Sequence, residues 1–366
     1  MSAKNNNQIK VAYIHGRPCS HPMQQKMANS INADFFPVDF KLRWHDKPNA
    51  PKIRRYISWI ICSLFFPNAK KYDVFIAAGA HVTLPLMRLF GKISSKQKII
   101  VHLGDELLYS IYSGRFSKNK ISFLKKIISK YDAIICEGEM GTEIIKKIWA
   151  ENTPKTYTIV NGIENRHLFQ VQNLRPNLET KNILYIAQGP GKMRLWYKGL
   201  DLLLKSYEKA FNEEKKLTLT IIGEWDDNLI YEITKNFSED VKKSIKMVGY
   251  VSDLSTYFEN SSLYLHPARG EAYGIVVLMS LASGLPTIVS EWTGAKEVVL
   301  KVSKELIVPL NVNDISKKIL WYFSLTKSEK QILSINSKKL GLAYTEERAV
   351  SEFYNTFQMI IKDLND

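Results

Sequence analysis

Eleven short β-branched runs punctuate this chain, most of them ending in glycine or a polar residue before a longer stretch whose apolar positions recur at helical spacing. In the first half they are KVAYIHG (10–16), VFIAAG (74–79), KIIVHLGD (98–105), AIICEG (133–138) and TYTIVNGI (156–163). In the second half they are NILYIAQ (182–188), LTLTIIGE (217–224), IKMVGYV (245–251), LYLHPA (263–268), PTIVSE (286–291) and LIVPL (306–310). Near-continuous apolar runs of this length are parallel strands covered on both faces. Their alternation with helices predicts an α/β chain built from doubly wound parallel sheets. A single core stops growing near about 250 residues, so 366 residues imply two domains. The polar, aperiodic stretch 163–181 is the expected linker, which divides the chain into 1–165 and 166–343. A last helix, 344–366, has Thr345 as its cap and Val350, Phe353, Tyr354, Phe357, Ile360, Ile361 and Leu364 on one stripe.

Composition narrows the function classes. Hydrophobic residues make up 45% and charged residues 24%, as in a water-soluble globular protein. The first residues, MSAKNNNQIK, lead into a strand and not into an apolar signal region. The longest nearly apolar run, YISWIICSLFFP, is far short of the ~20 residues of a membrane span. Cys19, Cys62 and Cys136 are widely spaced and form no CxxC, which suits neither a disulfide framework nor a zinc site. A cytoplasmic protein is expected. The net charge is +15, and residues 1–165 carry 25 Lys plus Arg against 12 Asp plus Glu, so the first half holds nearly all of it.

Ligands of open α/β sheets bind beyond the carboxyl ends of the strands, so the polar residues after each run are the candidates. In QGPGKMRLWYKGLD a helix is expected to open near Gly199. That would set Lys192, Arg194 and Lys198 beside unpaired N–H groups and a positive dipole end, where an anion such as phosphate is favoured. A solvated basic loop is the alternative. The spacing is not GxxxxGK[ST], so a nucleotide-triphosphatase loop is not indicated. Glu271, between LYLHPA and an apolar helix, either faces the ligand end of the sheet or caps that helix. Gly274 admits close approach, and WTGAKE adds a small-residue turn, Thr293-Gly294, with Glu297 in the first turn of the next helix.

The stretch PARGEAYGIVVLMSLASGLPTIVSEWTGAKEVV resembles the donor-site region of family 4 of the glycosyltransferases, whose GT-B fold consists of two Rossmann-like domains facing across a cleft. YKGLDLLLKSY is similar to that family's lysine-glycine helix start, NGIE (161–164) to its interdomain turn, and VGYVSDLSTYFENSSLYLHPA to the run before the acidic motif. The resemblance covers 156–300 well; residues 1–155 match only in the order of elements. It implies a catalytic set of Glu271, His102 and Lys198, with Lys198 on the donor diphosphate and Glu271 on the hydroxyls of the transferred sugar. His102, in VHLGDE, resembles an N-domain histidine that faces the sugar, although from the residues alone a strand-end histidine satisfied in the core fits it as well. The implied donor set adds Gln188, Lys192, Arg194, Gly223, Arg269, Tyr273, Gly274, Ile275, Met279, Thr293, Gly294 and Glu297. Retention of anomeric configuration, no metal, no cofactor beyond a UDP- or GDP-linked sugar, and a last helix packing back on the first domain follow in the same way. The chain departs from the family at Met279, where a second Glu normally holds the ribose, and at Gln188, where Arg is more usual.

The charge of the first half concentrates in 41–71 and 113–130. In the former, Ile53, Tyr56, Ile57, Ile60, Ile61, Leu64 and Phe65 form one stripe flanked by Arg54, Arg55, Trp44 and Trp59, a basic amphipathic helix suited to an anionic lipid surface; a core helix with solvated ends is the alternative. The acceptor and membrane side is expected to use Gly16, Arg17, Asp105, Arg54, Arg55, Trp59, Lys125 and Lys126. Nucleic acid is not the expected partner, because the aromatics lie in apolar stripes and not on a polar platform. The reading is a monomeric or weakly dimeric glycosyltransferase on the inner face of the cell membrane, moving a hexose-type sugar to a lipid-linked or membrane-proximal glycan. A nucleotide-sugar epimerase of the same fold and a non-catalytic sugar-nucleotide or membrane binder are the alternatives.

Overall fold

A computed structural model describes residues 9–16, 22–38, 52–104, 107–149, 154–189 and 191–365. Arg17, Trp44 and Asp105 lie outside these residues, as do the side chains of Ile53, Arg54, Arg55 and Tyr56. The chain forms two units, one of residues 1–160 with 349–366 and one of residues 161–348.

The first unit is a six-stranded parallel sheet of β1 (Val11–His15), β2 (Asp34–Pro37), β3 (Val74–Ala78), β4 (Lys98–Leu103), β5 (Ala133–Glu137) and β6 (Lys155–Ile159), in the order β2-β1-β3-β4-β5-β6. Every residue of β1, β3 and β5 is buried, so these strands need apolar side chains on both faces. β2 has no counterpart among the sequence-predicted strands. It is a half-exposed edge strand containing Pro37, and an edge tolerates a residue that cannot donate to a ladder.

The helix Glu346–Asn365 places Ala349, Phe353, Phe357, Ile360 and Ile361 in the core of the first unit, among Val11, Tyr13, Ile76, Ile100 and Ile135. Val350 and Leu364 pack at its edge. Tyr354, expected on the buried stripe, is exposed. Thr345 accepts from the amide of Arg348 at 3.3 Å and so caps this helix.

The helix Lys52–Phe65 turns Trp59, Cys62 and Ser63 inward and leaves Ile57, Ile60 and Phe65 exposed. Trp59 therefore differs from expectation: it is 6% exposed, with its ring against His81 at 5.5 Å, and is not an interfacial aromatic. Among the described side chains of this helix, the exposed apolar ones are Ile57, Ile60 and Phe65.

The second unit contains β7 (Asn182–Ile186), β8 (Thr218–Ile222), β9 (Ile245–Gly249), β10 (Leu263–His266), β11 (Thr287–Ser290) and β12 (Ile307–Val308), in the order β12-β11-β10-β7-β8-β9, again all parallel. From β7 the chain winds outward to β9, then returns to place β10 on the other side of β7. That reversal is the point where doubly wound sheets open a crevice at their carboxyl edge. The stretch 163–181 is not a linker but a part of this unit. It contains the helix Asn165–Val171, the Leu174 carbonyl accepts from Lys338 Nζ at 2.7 Å, and the Asn177 amide bonds the Glu259 carbonyl at 2.8 Å. Ile163 donates its amide to the Tyr344 carbonyl at 2.9 Å, which puts the two ends of the unit side by side. Among the described residues no helix is long and apolar enough to cross a membrane.

Candidate functional site

The reversal between β7 and β10 gathers the candidates of the second unit. After β7 the chain forms a helix, Lys192–Lys198, then turns at Gly199 with φ of 75° and starts the helix Leu200–Glu213. The helix expected to open near Gly199 is thus preceded by a short one, with Lys198 as its last residue. Gly199 is required there twice, for its left-handed backbone and because a Cβ would overlap the carbonyl of Pro267 after β10. Around that contact the two segments are stitched together. The Arg269 amide bonds the Tyr197 carbonyl at 2.8 Å, the Tyr197 hydroxyl donates to the Gly270 carbonyl, and the Tyr185 hydroxyl donates to the Lys198 carbonyl at 2.9 Å.

Arg269 belongs to this stitching and not to a ligand contact as expected. Its guanidinium makes a bidentate pair with Asp201 at 2.7 and 2.8 Å, donates to the Trp196 carbonyl at 2.5 Å and lies over the Trp196 ring. A planar fork held on both prongs is a strut.

The result is a compact cluster. Lys198 Nζ pairs with Glu271 Oε2, and His266 Nε2, at the end of β10, lies 3.3 Å from the same oxygen. Burial alone would raise the Glu271 carboxyl, but the Lys198 ammonium and then His266 outweigh it and hold the carboxyl well below the usual range. For His266, burial pushes the imidazole down, with Glu271 opposing. Sequence reasoning missed His266. A histidine ending an apolar strand reads as core, and only its place five residues before Glu271 signals otherwise.

The second small-residue turn folds against Glu271 through its backbone. Gly294 donates to the Glu271 carbonyl at 2.9 Å, Ala295 to the Tyr273 carbonyl at 2.8 Å and Thr293 to the Ser290 carbonyl at 3.2 Å. A Cβ on Gly294 would overlap the Ala272 carbonyl. These amides, expected on phosphate, are committed within the unit. The N–H groups that lack an intrahelical acceptor are instead at the start of the helix Ile275–Ser283, where Gly274 stands with φ of 94°. Tyr273 and Glu297 also bond each other, hydroxyl to carboxylate at 3.0 Å. Met279, on the same helix, is buried. Gln188 and Lys192 are exposed, and Arg194 donates from Nε to the Gln188 carbonyl at 3.2 Å. Gly223 anchors the end of β8 by donating to the Gly249 carbonyl at 2.7 Å.

In the first unit the reversal lies between β1 and β3. Gly16 donates to the Ala78 carbonyl at 2.7 Å and packs so closely on Gly79 that a Cβ would overlap its carbonyl. His102, at the carboxyl end of β4, is 1% exposed; its Nδ1 lies 2.8 Å from the Tyr13 hydroxyl and its Nε2 3.3 Å from Glu137 Oε1. Both ring nitrogens thus face groups of their own unit. Lys125 is half-buried and Lys126 exposed in the last turn of the helix Lys118–Ile128. Among the described residues no cluster of three or more His, Cys, Asp or Glu could hold a metal ion.

With the crevice-edge cluster in place, the family match falls on the second unit. Residues 171–339 match the family model for glycosyl transferases group 1. An uncharacterized glycosyltransferase of Haemophilus influenzae is 30% identical over 198 residues, a match covering 53% of this chain and 52% of that protein. The chain thus spans about half the length of that curated relative. Among solved structures, sucrose-phosphate synthase from Thermosynechococcus elongatus superposes with a TM-score of 0.74 at 14% identity, covering 97% of this chain and all of that one. Anabaena HepE, solved in complex with UDP and glucose, superposes with a TM-score of 0.68 at 13% identity, covering 97% and 100%. The architecture is the two-domain α/β GT-B fold that these structures share.

Proposed function

We propose that the protein is a glycosyltransferase that moves a hexose-type sugar, with retention, from a UDP- or GDP-linked donor to a lipid-linked or membrane-proximal glycan. The observation that carries this reading is the Lys198–Glu271–His266 cluster at the carboxyl edge of the second sheet, inside the segment matching glycosyl transferases group 1. Transfer leaves a nucleoside diphosphate whose charge must be met as the glycosidic bond breaks. The Lys198 ammonium and helix-start amides meet it without a proton donor or metal. In this reading Lys198, helped by Arg194, and the first amides after Gly274 hold the diphosphate, and Glu271 accepts from the sugar hydroxyls. For His102 to touch the sugar, Nε2 would have to turn from Glu137, with which it makes no hydrogen bond, or Nδ1 would have to release the Tyr13 hydroxyl. Met279 offers the ribose no strong acceptor, so another group must hold it. HepE, bound to UDP and glucose, supports the class of donor.

The membrane side of the proposal rests on the exposed Ile57, Ile60 and Phe65 of a unit whose sequence is strongly basic, since apolar insertion and cationic attraction add at an anionic surface. A panel of UDP-, GDP-, ADP- and dTDP-linked hexoses should contain one that raises the melting temperature, because a ligand bound only by the native state stabilises it. With that donor and a lipid extract, the wild type should release nucleoside diphosphate only when acceptor is present. Lys198→Ala and Glu271→Ala should each lower the rate by about a hundred-fold or more. Donor conversion without acceptor would replace this reading with epimerisation.

A further inference from the structure

Glu271 Oε2 receives two partners, and they differ in freedom. Lys198 ends a flexible stem, whereas His266 is buried at 3% exposure, with its ring stacked on Tyr185 at 6.2 Å and Tyr264 at 6.0 Å. Its Nδ1 lies 3.2 Å from the Tyr264 hydroxyl, which is also 3.2 Å from the Ile186 carbonyl oxygen. That hydroxyl has one proton. If it donates to Nδ1, the neutral ring carries its proton on Nε2 and donates it to Glu271. If it donates to Ile186, its oxygen accepts from Nδ1–H, and Nε2 can donate to Glu271 only as part of an imidazolium. The remaining neutral form would set a lone pair against a carboxylate. Both permitted forms therefore end with an N–H aimed at Glu271.

A diphosphate arriving at Lys198 competes with Glu271 for the ammonium. A mostly buried carboxylate left without a donor would carry a heavy desolvation cost and would turn away or take up a proton. We propose that His266 is a positioning residue that keeps Glu271 an aimed carboxylate, ready for the donor sugar, while Lys198 turns to the diphosphate. This rests on the reading of the site given above. The charged and titratable groups that face the imidazole are Glu271, Lys198, Arg194, Tyr264 and Tyr185. Withdrawing the ammonium removes one repulsion and leaves Glu271 opposed only by Arg194, so the proton on His266 should be held more tightly.

Two measurements test this, and the first needs no ligand. In the full chain, nitrogen chemical shifts of the histidines, with His266 assigned by its loss in His266→Gln, should show Nε2 protonated at neutral pH. In Lys198→Met, which mimics the drawn-off ammonium, the His266 titration should move up by about one pH unit. An unprotonated Nε2, or a titration that Lys198→Met leaves in place, would overturn the coupling.

The second compares UDP with UDP-glucose, or the corresponding pair for whichever base stabilises the wild type. His266→Leu should bind the nucleoside diphosphate within about two-fold of wild type, lose about ten-fold or more of the extra affinity brought by the sugar, and lose a similar factor in kcat. His266→Gln, whose amide N–H reaches the place of Nε2, should recover most of both. Glu271→Gln should cost less when added to His266→Leu than in the wild type, since the two act through one contact. Equal losses for Leu and Gln at matched melting temperature, or additive losses with Glu271→Gln, would overturn the assignment. If no sugar nucleotide stabilised the wild type, the donor-site reading would fail, while the chemical shifts would still decide the coupling.

Discussion

Glu271 stands between an ammonium and an imidazole, and this fixes the sign of its response to acid. Its carboxyl is held below the ordinary value in the folded chain, so it adds stability above the unfolded value of about 4.3, and that contribution fades as the pH falls from there through the folded value. Glu271→Gln should therefore be less stable than wild type at pH 7, with the gap in melting temperature narrowing as the pH is lowered from about 4.5 toward 3. A constant gap would mean that Lys198 and His266 do not hold the carboxylate. The residues of this site were unequally legible. Lys198 and Glu271 stood out because a cation before a glycine turn and an acid between strand and helix mark positions where charge is useful. His266 and Arg269 depend on contacts about 70 residues apart in sequence or on a ring's second nitrogen, which local pattern does not encode. The amides of Gly294 and Ala295 looked available only because their carbonyl partners, Glu271 and Tyr273, lie in another segment.

At the scale of elements, the helix Glu346–Asn365 supplies Phe353 to the first unit, where its ring packs 6.3 Å from Tyr13 and 6.0 Å from His102. Phe353→Ala should cost about 3–5 kcal/mol in urea unfolding, as expected for emptying a fully buried aromatic site, and should disturb His102 without touching the second unit. A loss under about 1 kcal/mol would show that this helix is only loosely docked. Buried parallel strands announced themselves because both faces must be apolar, and this is why the runs ending at His15, Ala78 and Glu137 were readable. β2 was not, because an edge strand half in solvent and containing proline loses that signature. The helix Lys192–Lys198 and the packed segment 163–181 were missed for a related reason: short helices held by tertiary contacts carry little periodicity of their own.

For the whole molecule, charge is unevenly placed, with the basic sequence in the first half and the crevice-edge ion cluster in the second unit. The two units are unequal in continuity. The second is one unbroken stretch, 161–348, whereas the first needs residues from both ends of the chain. Residues 161–348 expressed alone should unfold cooperatively and bind the stabilising nucleoside diphosphate. Residues 1–160 alone, lacking Phe353, Phe357 and Ile360, should show no cooperative transition by calorimetry. The bond from the Ile163 amide to the Tyr344 carbonyl carries this further. Because entry to and exit from the second unit lie one hydrogen bond apart, a short peptide could join them and new termini could be opened at a solvent-facing loop elsewhere. Such a circular permutant would retain its fold, with order of synthesis uncoupled from architecture.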